Sequence, residues 1–199
     1  MANDDLFQQP ANAATPLTAE ERRDLKPSHI TFKHELNEAE QENIARAQRW
    51  VFARGARVDI LTETFVLELH RRILKDVWKW AGSYRKTERN PGIDWWLIPT
   101  ELHDLLDDVK AWVEYSSYPP DELAVRFHHR LVAIHPFPNG NGRHARLMAD
   151  LLVMRLGGGR FTWGSASVKA VGEARQRYID ALKAADKHDI GPLLAFARS

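Results

Sequence analysis

The chain has 199 residues, 44% hydrophobic and 28% charged, a balance that suits a globular domain able to bury a core without staples and excludes a disordered or collagen-like chain. Cysteine is absent, which excludes a disulfide framework, a thiolate nucleophile and a thiolate metal site. With 28 Lys and Arg against 27 Asp and Glu, the charge gives no general attraction to nucleic acid or an anionic membrane, so neither is expected as a direct partner.

Residues 1 to about 16 are polar, Ala- and Pro-containing and aperiodic, without the basic and apolar regions of a secretory leader, and predict a flexible arm. Thr18-Ala19-Glu20-Glu21 has the capping-box pattern and opens a short helix that Pro27 stops. Residues 1–36 are therefore assigned as an N-terminal arm with a short helix, and 37–199 as one domain. Asn37 opens a helix in which Ile44, Ala47, Trp50 and Val51 recur at helical spacing as far as Gly55. From Thr62 to about Trp78, Phe65, Leu69, Ile73 and Val77 fall at every fourth position, the stripe of a helix packed on a core.

Over residues 81–99, Gly82, Asn90, Pro91, Gly92 and Pro99 then break the rhythm and predict a turn or small β-hairpin. On such a strand the adjacent Trp95 and Trp96 point to opposite faces. Thr100 caps a helix with Leu102, Leu105, Leu106, Val109, Trp112 and Val113 as its stripe. Asp121 opens the next, which carries Leu123, Phe127, Leu131 and Ile134 and ends at His135-Pro136. A further helix runs from Asn141 to Leu156 and closes at Gly157-Gly158-Gly159, while Ser167 and Asp189 cap the last two. Six or more helices with at most one hairpin indicate an all-α bundle. No apolar stretch is long enough to cross a bilayer, and a cytoplasmic protein is expected.

The stretch His135-Pro136-Phe137-Pro138-Asn139-Gly140-Asn141-Gly142-Arg143-His144-Ala145-Arg146 carries the chemistry. Its glycines let backbone approach a ligand, and a helix begins at once, with unpaired amides and a positive dipole end facing the loop. Arg143 and Arg146 lie three residues apart on one helix face, as a pair suited to phosphate oxygens. His135, with an ordinary pKa near neutrality, is the candidate general base. The string from Gly140 to Ala145 also fits the dinucleotide fingerprint, but that motif follows a strand, and here a helix precedes. His128, His129 and His144 lack a second ligand set and predict core or surface roles.

This stretch resembles the signature of the Fic (filamentation induced by cyclic AMP) family, HxFx(D/E)GNGRxxR, at every fixed position except Asn139. Phe127-His128, the segment Trp80-Ala81-Gly82-Ser83-Tyr84-Arg85 and Tyr178-Ile179-Asp180-Ala181-Leu182 are similar to the same family, over roughly residues 37–197. HPFPNGNGRHAR and the Glu35 to Glu40 stretch resemble its mobile mystery protein B subgroup, often encoded beside a helix-turn-helix protein, which would be a partner.

The resemblance implies a Fic-fold helical bundle with a β-hairpin flap, and transfer of AMP from ATP to a hydroxyl side chain of a target protein. His135 would take the hydroxyl proton, Phe137 would anchor the loop, and Pro138, Asn139, Gly140, Asn141 and Gly142 would line the phosphates. Arg143 and Arg146 would hold the outer phosphates. An acidic residue normally helps hold Mg²⁺ where Asn139 stands, so weaker metal affinity is expected, and a catalytically weak nucleotide-binding or interaction module is the alternative function. The resemblance also implies an inhibitory Glu paired with the second motif arginine. Thr31 to Glu35 fits the start of that pattern and makes Glu35 the candidate, although Thr64 to Glu68 fits equally. Residues 86–99 would be the target-docking flap, with Ile93, Trp95 and Trp96 on it.

Overall fold

The helical periodicities resolve, in a computed structural model that describes residues 15–54, 58–165 and 171–199, into α1 (Ala19–Asp24), α2 (Lys33–Arg54), α3 (Glu63–Leu74), α4 (Ile98–Glu114), α5 (Pro120–Ile134), α6 (Asn141–Arg155), α7 (Val171–Ala185) and α8 (Gly191–Ala197). Local chemistry sets most of the boundaries. Thr62 Oγ1 accepts from the Phe65 N–H at 3.2 Å and caps α3. α4 starts at Ile98, two residues before Thr100, because Pro99 is tolerated in a first turn whose amides have no partner anyway. α5 likewise begins on Pro120, with Asp121 and Glu122 at the positive end of its dipole. Asp189 accepts from the Gly191 N–H at 3.1 Å, whereas Ser167 lies outside the described residues.

α6 is the axis of the bundle, with Asn141, Gly142 and every residue from His144 to Val153 buried. A helix enclosed on all sides needs partners for each polar group it carries. His144 Nε2 meets the Val66 carbonyl at 3.0 Å, and Asp150 accepts from Trp163 Nε1 at 3.0 Å and from the Phe161 N–H at 3.3 Å. α5 packs along α6 and α2 along α3, while α4 lies on α5 and α7 against α8.

Two expectations change. From residue 15 onward the N-terminal segment belongs to the core: Leu17, Leu25 and Ile30 are buried, and the Lys26 N–H donates to Val77 while the Lys79 N–H donates to Asp24. Apolar residues spaced too irregularly to form a helical stripe produce that packing, so periodicity alone missed it. The predicted hairpin is also absent. Residues 86–99 contain bends and a 3₁₀ turn at Trp95–Leu97, with no paired strand. Pro91 has no amide to pair, and the Thr87 and Ile93 carbonyls are taken by the Arg85 guanidinium. In this turn Trp95 and Trp96 are both exposed, at 39% and 58%, and pack edge to face with centroids 5.8 Å apart; strand alternation does not apply to them.

Candidate active site

The loop from His135 to Gly140 joins the two central helices, and several independent contacts fix its shape. His135 ends α5 in the left-handed region at φ 53, and Gly140 precedes α6 at φ 77. Between them Asn141 reaches back: its Oδ1 accepts from the Phe137 N–H at 2.9 Å and its Nδ2 donates to the Phe137 carbonyl at 2.8 Å. Phe137 is fully buried and lies flat on His70, with centroids 3.6 Å apart at 5°. The loop anchor expected at Phe137 is therefore present. The Asn141 carboxamide is committed to the loop, which leaves its backbone amide, among the first of α6, for an anion.

His70 was not singled out from the sequence, yet it connects two segments. The Gly82 N–H donates to its Nδ1 at 3.0 Å, which puts the ring proton on Nε2, and that nitrogen donates to the Asn139 carbonyl at 3.0 Å. Burial holds its pKa well below the ordinary value, with the neighbouring His144 and the Arg143 guanidinium acting in the same direction and the Asn139 carbonyl opposing. It is a neutral, fixed tautomer. A histidine at the buried spacing Val66, His70, Leu74 was the available signal.

His135 is half-buried beside this loop. Burial first, then the positive charges of Arg85 and Arg89, push its pKa down to about 4, against the pull of the Val132 carbonyl. At neutral pH it is an uncharged imidazole able to accept a proton.

The two motif arginines project from α6. Arg143 and Arg146 line a cavity of about 220 Å³ with Gln41 and Gln48 of α2, Asp150 of α6 and Arg160. His135 is not part of its lining. Arg146 is buried, its guanidinium 5.7 Å from the Tyr178 ring. Arg143 meets a carboxylate: its Nη1 and Nη2 donate to Glu40 Oε2 at 3.2 and 3.1 Å, while Glu40 Oε1 accepts from Trp78 Nε1 at 2.6 Å. Glu40 is 2% exposed. Glu35 is elsewhere: its carboxylate accepts from the Thr31 and Phe32 N–H groups at 2.8 and 3.0 Å at the start of α2, and these two amides hold its pKa below the ordinary range. The buried stripe of α2 is Leu36, Glu40, Asn43, Ala47 and Val51, so two polar residues in an apolar register were the missed signal.

A divalent cation is the cofactor implied at Asn139. The only side-chain oxygen of that residue accepts from the Gly140 N–H at 2.7 Å, and no group of three His, Asp or Glu side chains gathers as a metal site among the described residues. Hard cations need several oxygen ligands, and the described residues gather no such group of carboxylates at Asn139. Of the flap residues, Ile93 is half-buried, and Trp95 and Trp96 face outward.

The profile of the Fic/DOC family matches residues 60–153. The chain is 32% identical over 142 residues to "Protein adenylyltransferase Fic" of Aedes aegypti, an alignment covering 69% of this chain and 27% of that protein. It thus spans about a quarter of the length of such curated relatives. A structure of Fic-1 from C. elegans superposes with a TM-score of 0.64 at 27% identity, covering 82% of this chain and 48% of that one. BepC of Bartonella tribocorum, solved with bound AMPPNP, gives 0.66 at 18% identity over 97% and 96%. No helix among the described residues is long and apolar enough to cross a membrane. With the signature loop, its anchoring phenylalanine and the start of α6 all inside the matched span, the chain carries a Fic/DOC family domain.

Proposed function

We propose that the chain is a protein adenylyltransferase that moves AMP from ATP to a hydroxyl side chain of a target protein and works in the cytoplasm. The observation that carries this reading is a neutral His135 at the end of α5, joined by a fixed loop to an α6 start bearing Gly140, Gly142, Arg143 and Arg146. The adenylyltransferase names of the relatives support it. The first-turn amides of α6 receive phosphate oxygens, as helix starts do. Arg143 and Arg146 take the outer phosphates, and Glu40 must give up Arg143 for that. His135 accepts the proton of the incoming hydroxyl as its oxygen bonds to the α-phosphorus, and the bond to the β-phosphate oxygen breaks, releasing pyrophosphate. Such transfers depend mainly on positioning and on stabilising phosphate charge. Ile93, Trp95 and Trp96 are the surface offered to the target segment.

A second reading, a catalytically weak module partnered with a neighbouring helix-turn-helix protein as in the mobile mystery protein B subgroup, is favoured by one observation. Asn139 stands where a carboxylate would serve Mg²⁺, and its oxygen is turned onto the Gly140 amide. Incubation with α-labelled or γ-labelled ATP and a cell lysate separates the two. Protein labelled from the α-position alone, lost in His135→Ala and made more Mg²⁺-dependent by Asn139→Asp, is the expected result. Absence of label in both the wild type and Asn139→Asp sinks the transferase reading and leaves the module.

A further inference from the structure

Arg85 is 2% exposed, and every hydrogen bond its guanidinium makes among the described residues goes to a main-chain carbonyl. Nε donates to His135 at 2.6 Å, Nη1 to Thr87 at 2.8 Å, and Nη2 to Ile134 at 3.3 Å and to Ile93. Its own N–H donates to the Pro136 carbonyl at 2.9 Å. Ile134 and His135 end α5, where a helix leaves carbonyls unpaired and its dipole is negative. Thr87 and Ile93 belong to the flap. A guanidinium presents five donors in a rigid fork, which is how one side chain spans acceptors from two segments at once; a lysine has no such fork. The chain makes room for it: a Cβ on Gly92 would sit 2.9 Å from Arg85 Nη2 and 3.2 Å from His135 Cβ, at a φ of +146 that L side chains rarely adopt.

We propose that Arg85 is a positioning residue that clamps the flap to the backbone of His135, so that the surface offered to the target and the base that receives its proton move as one body. The catalytic consequence rests on the adenylyltransferase reading, whereas the clamp itself does not. Arg85 and Arg89 are the charged groups that act on the His135 ring, so the clamp also leaves an electrostatic trace on the base.

The test uses the full chain, with trypsin cleavage after Lys86 and Arg89 as the measure of flap anchoring and the NMR titration of His135, assigned with His135→Ala, as the measure of the base. Arg85→Gln is expected to speed flap cleavage about tenfold and to raise the His135 pKa by about one unit, the scale of a lost like charge. Arg85→Lys keeps the low His135 pKa but not the flap protection. In transfer assays both lower kcat more than they raise the KM for ATP. Gly92→Ala, which leaves Arg85 in the sequence while crowding its fork, also speeds cleavage, and it decides the matter if Arg85→Gln does not fold. Wild-type flap protection in a folded Arg85→Gln or in Gly92→Ala overturns the proposal. A loosened flap and a shifted His135, in a protein that transfers no label either as wild type or as Asn139→Asp, upholds the clamp and rejects the adenylyltransferase reading instead.

Discussion

Glu40 divides its two oxygens between Trp78 and Arg143, and both members of the ion pair are almost out of water, at 3% and 8% side-chain exposure. In such surroundings a charge left without its counter-charge is costly, about 3–5 kcal/mol when one partner of a buried pair is removed. A phosphate arriving at Arg143 therefore competes with Glu40 for the same guanidinium. Glu40→Gln keeps an acceptor for the Trp78 indole but removes the competing charge. ATP affinity is expected to rise about tenfold, equivalent to about 1.4 kcal/mol, while thermal stability falls. Calorimetric titration checks this; unchanged or weaker ATP binding by a folded Glu40→Gln protein means that the pair does not restrain the site. The same experiment on Glu35→Gly is expected to leave affinity unchanged, because that carboxylate serves the Thr31 and Phe32 amides just before α2.

At the scale of elements, the elbow between α5 and α6 depends on Asn141, whose carboxamide satisfies both main-chain groups of Phe137 in a buried setting. Asn141→Ala strands a buried donor and a buried acceptor and is expected to cost about 2–4 kcal/mol, read as a lowered denaturation midpoint with an unchanged slope. Equal midpoints would mean that the loop holds its shape without this bridge. Helices were the legible part of the sequence, since Phe65, Leu69 and Ile73 or Leu123, Phe127 and Leu131 announce a stripe. The signature loop was legible too, because its glycines and arginines are local. Glu40, His70 and Arg85 were not, for one shared reason. Their roles depend on what lies across the core, on Arg143 in α6, on Asn139 in the loop and on the end of α5, and a single chain displays a polar residue in an apolar register without naming its partner. The flap failed differently: turn residues suggested a hairpin, but a side chain outside the segment's own pattern occupies carbonyls that a partner strand would need.

Across the whole molecule, four histidines are kept neutral by their surroundings. Burial is the largest cause at each: His135 and His144 are pushed to about 4, His128 to about 3, and His70 well below its ordinary value. A group with a folded pKa below its unfolded one binds more protons when unfolded, so stability rises with pH across the gap and is lost as pH falls from the unfolded value near 6.5 toward 4. Each such histidine contributes a slope of up to about 1.4 kcal/mol per pH unit, so four approach about 5 kcal/mol per unit. Set against a typical domain stability of about 5–15 kcal/mol, that slope is expected to unfold the protein between about pH 4 and 5.5. Urea unfolding at successive pH values measures it directly. Uptake of fewer than about two protons on unfolding at pH 5 would show that the histidines do not govern acid stability.

The bond from Trp78 to Glu40 gives the molecule a built-in optical reporter. The Trp78 ring stacks on Trp80 with centroids 5.2 Å apart, and Trp80 stacks in turn on His70, so an excited state on this pair is sensitive to the acceptor at the indole nitrogen and to the imidazole beneath the signature loop. A ligand that draws Arg143 away from Glu40 changes the electric field at that indole, although Trp78 itself does not line the arginine cavity. The emission of unlabelled protein is therefore expected to change as the arginine site fills, and the light-emitting groups that crowd this small chain become a means of following the Arg143–Glu40 pair in real time.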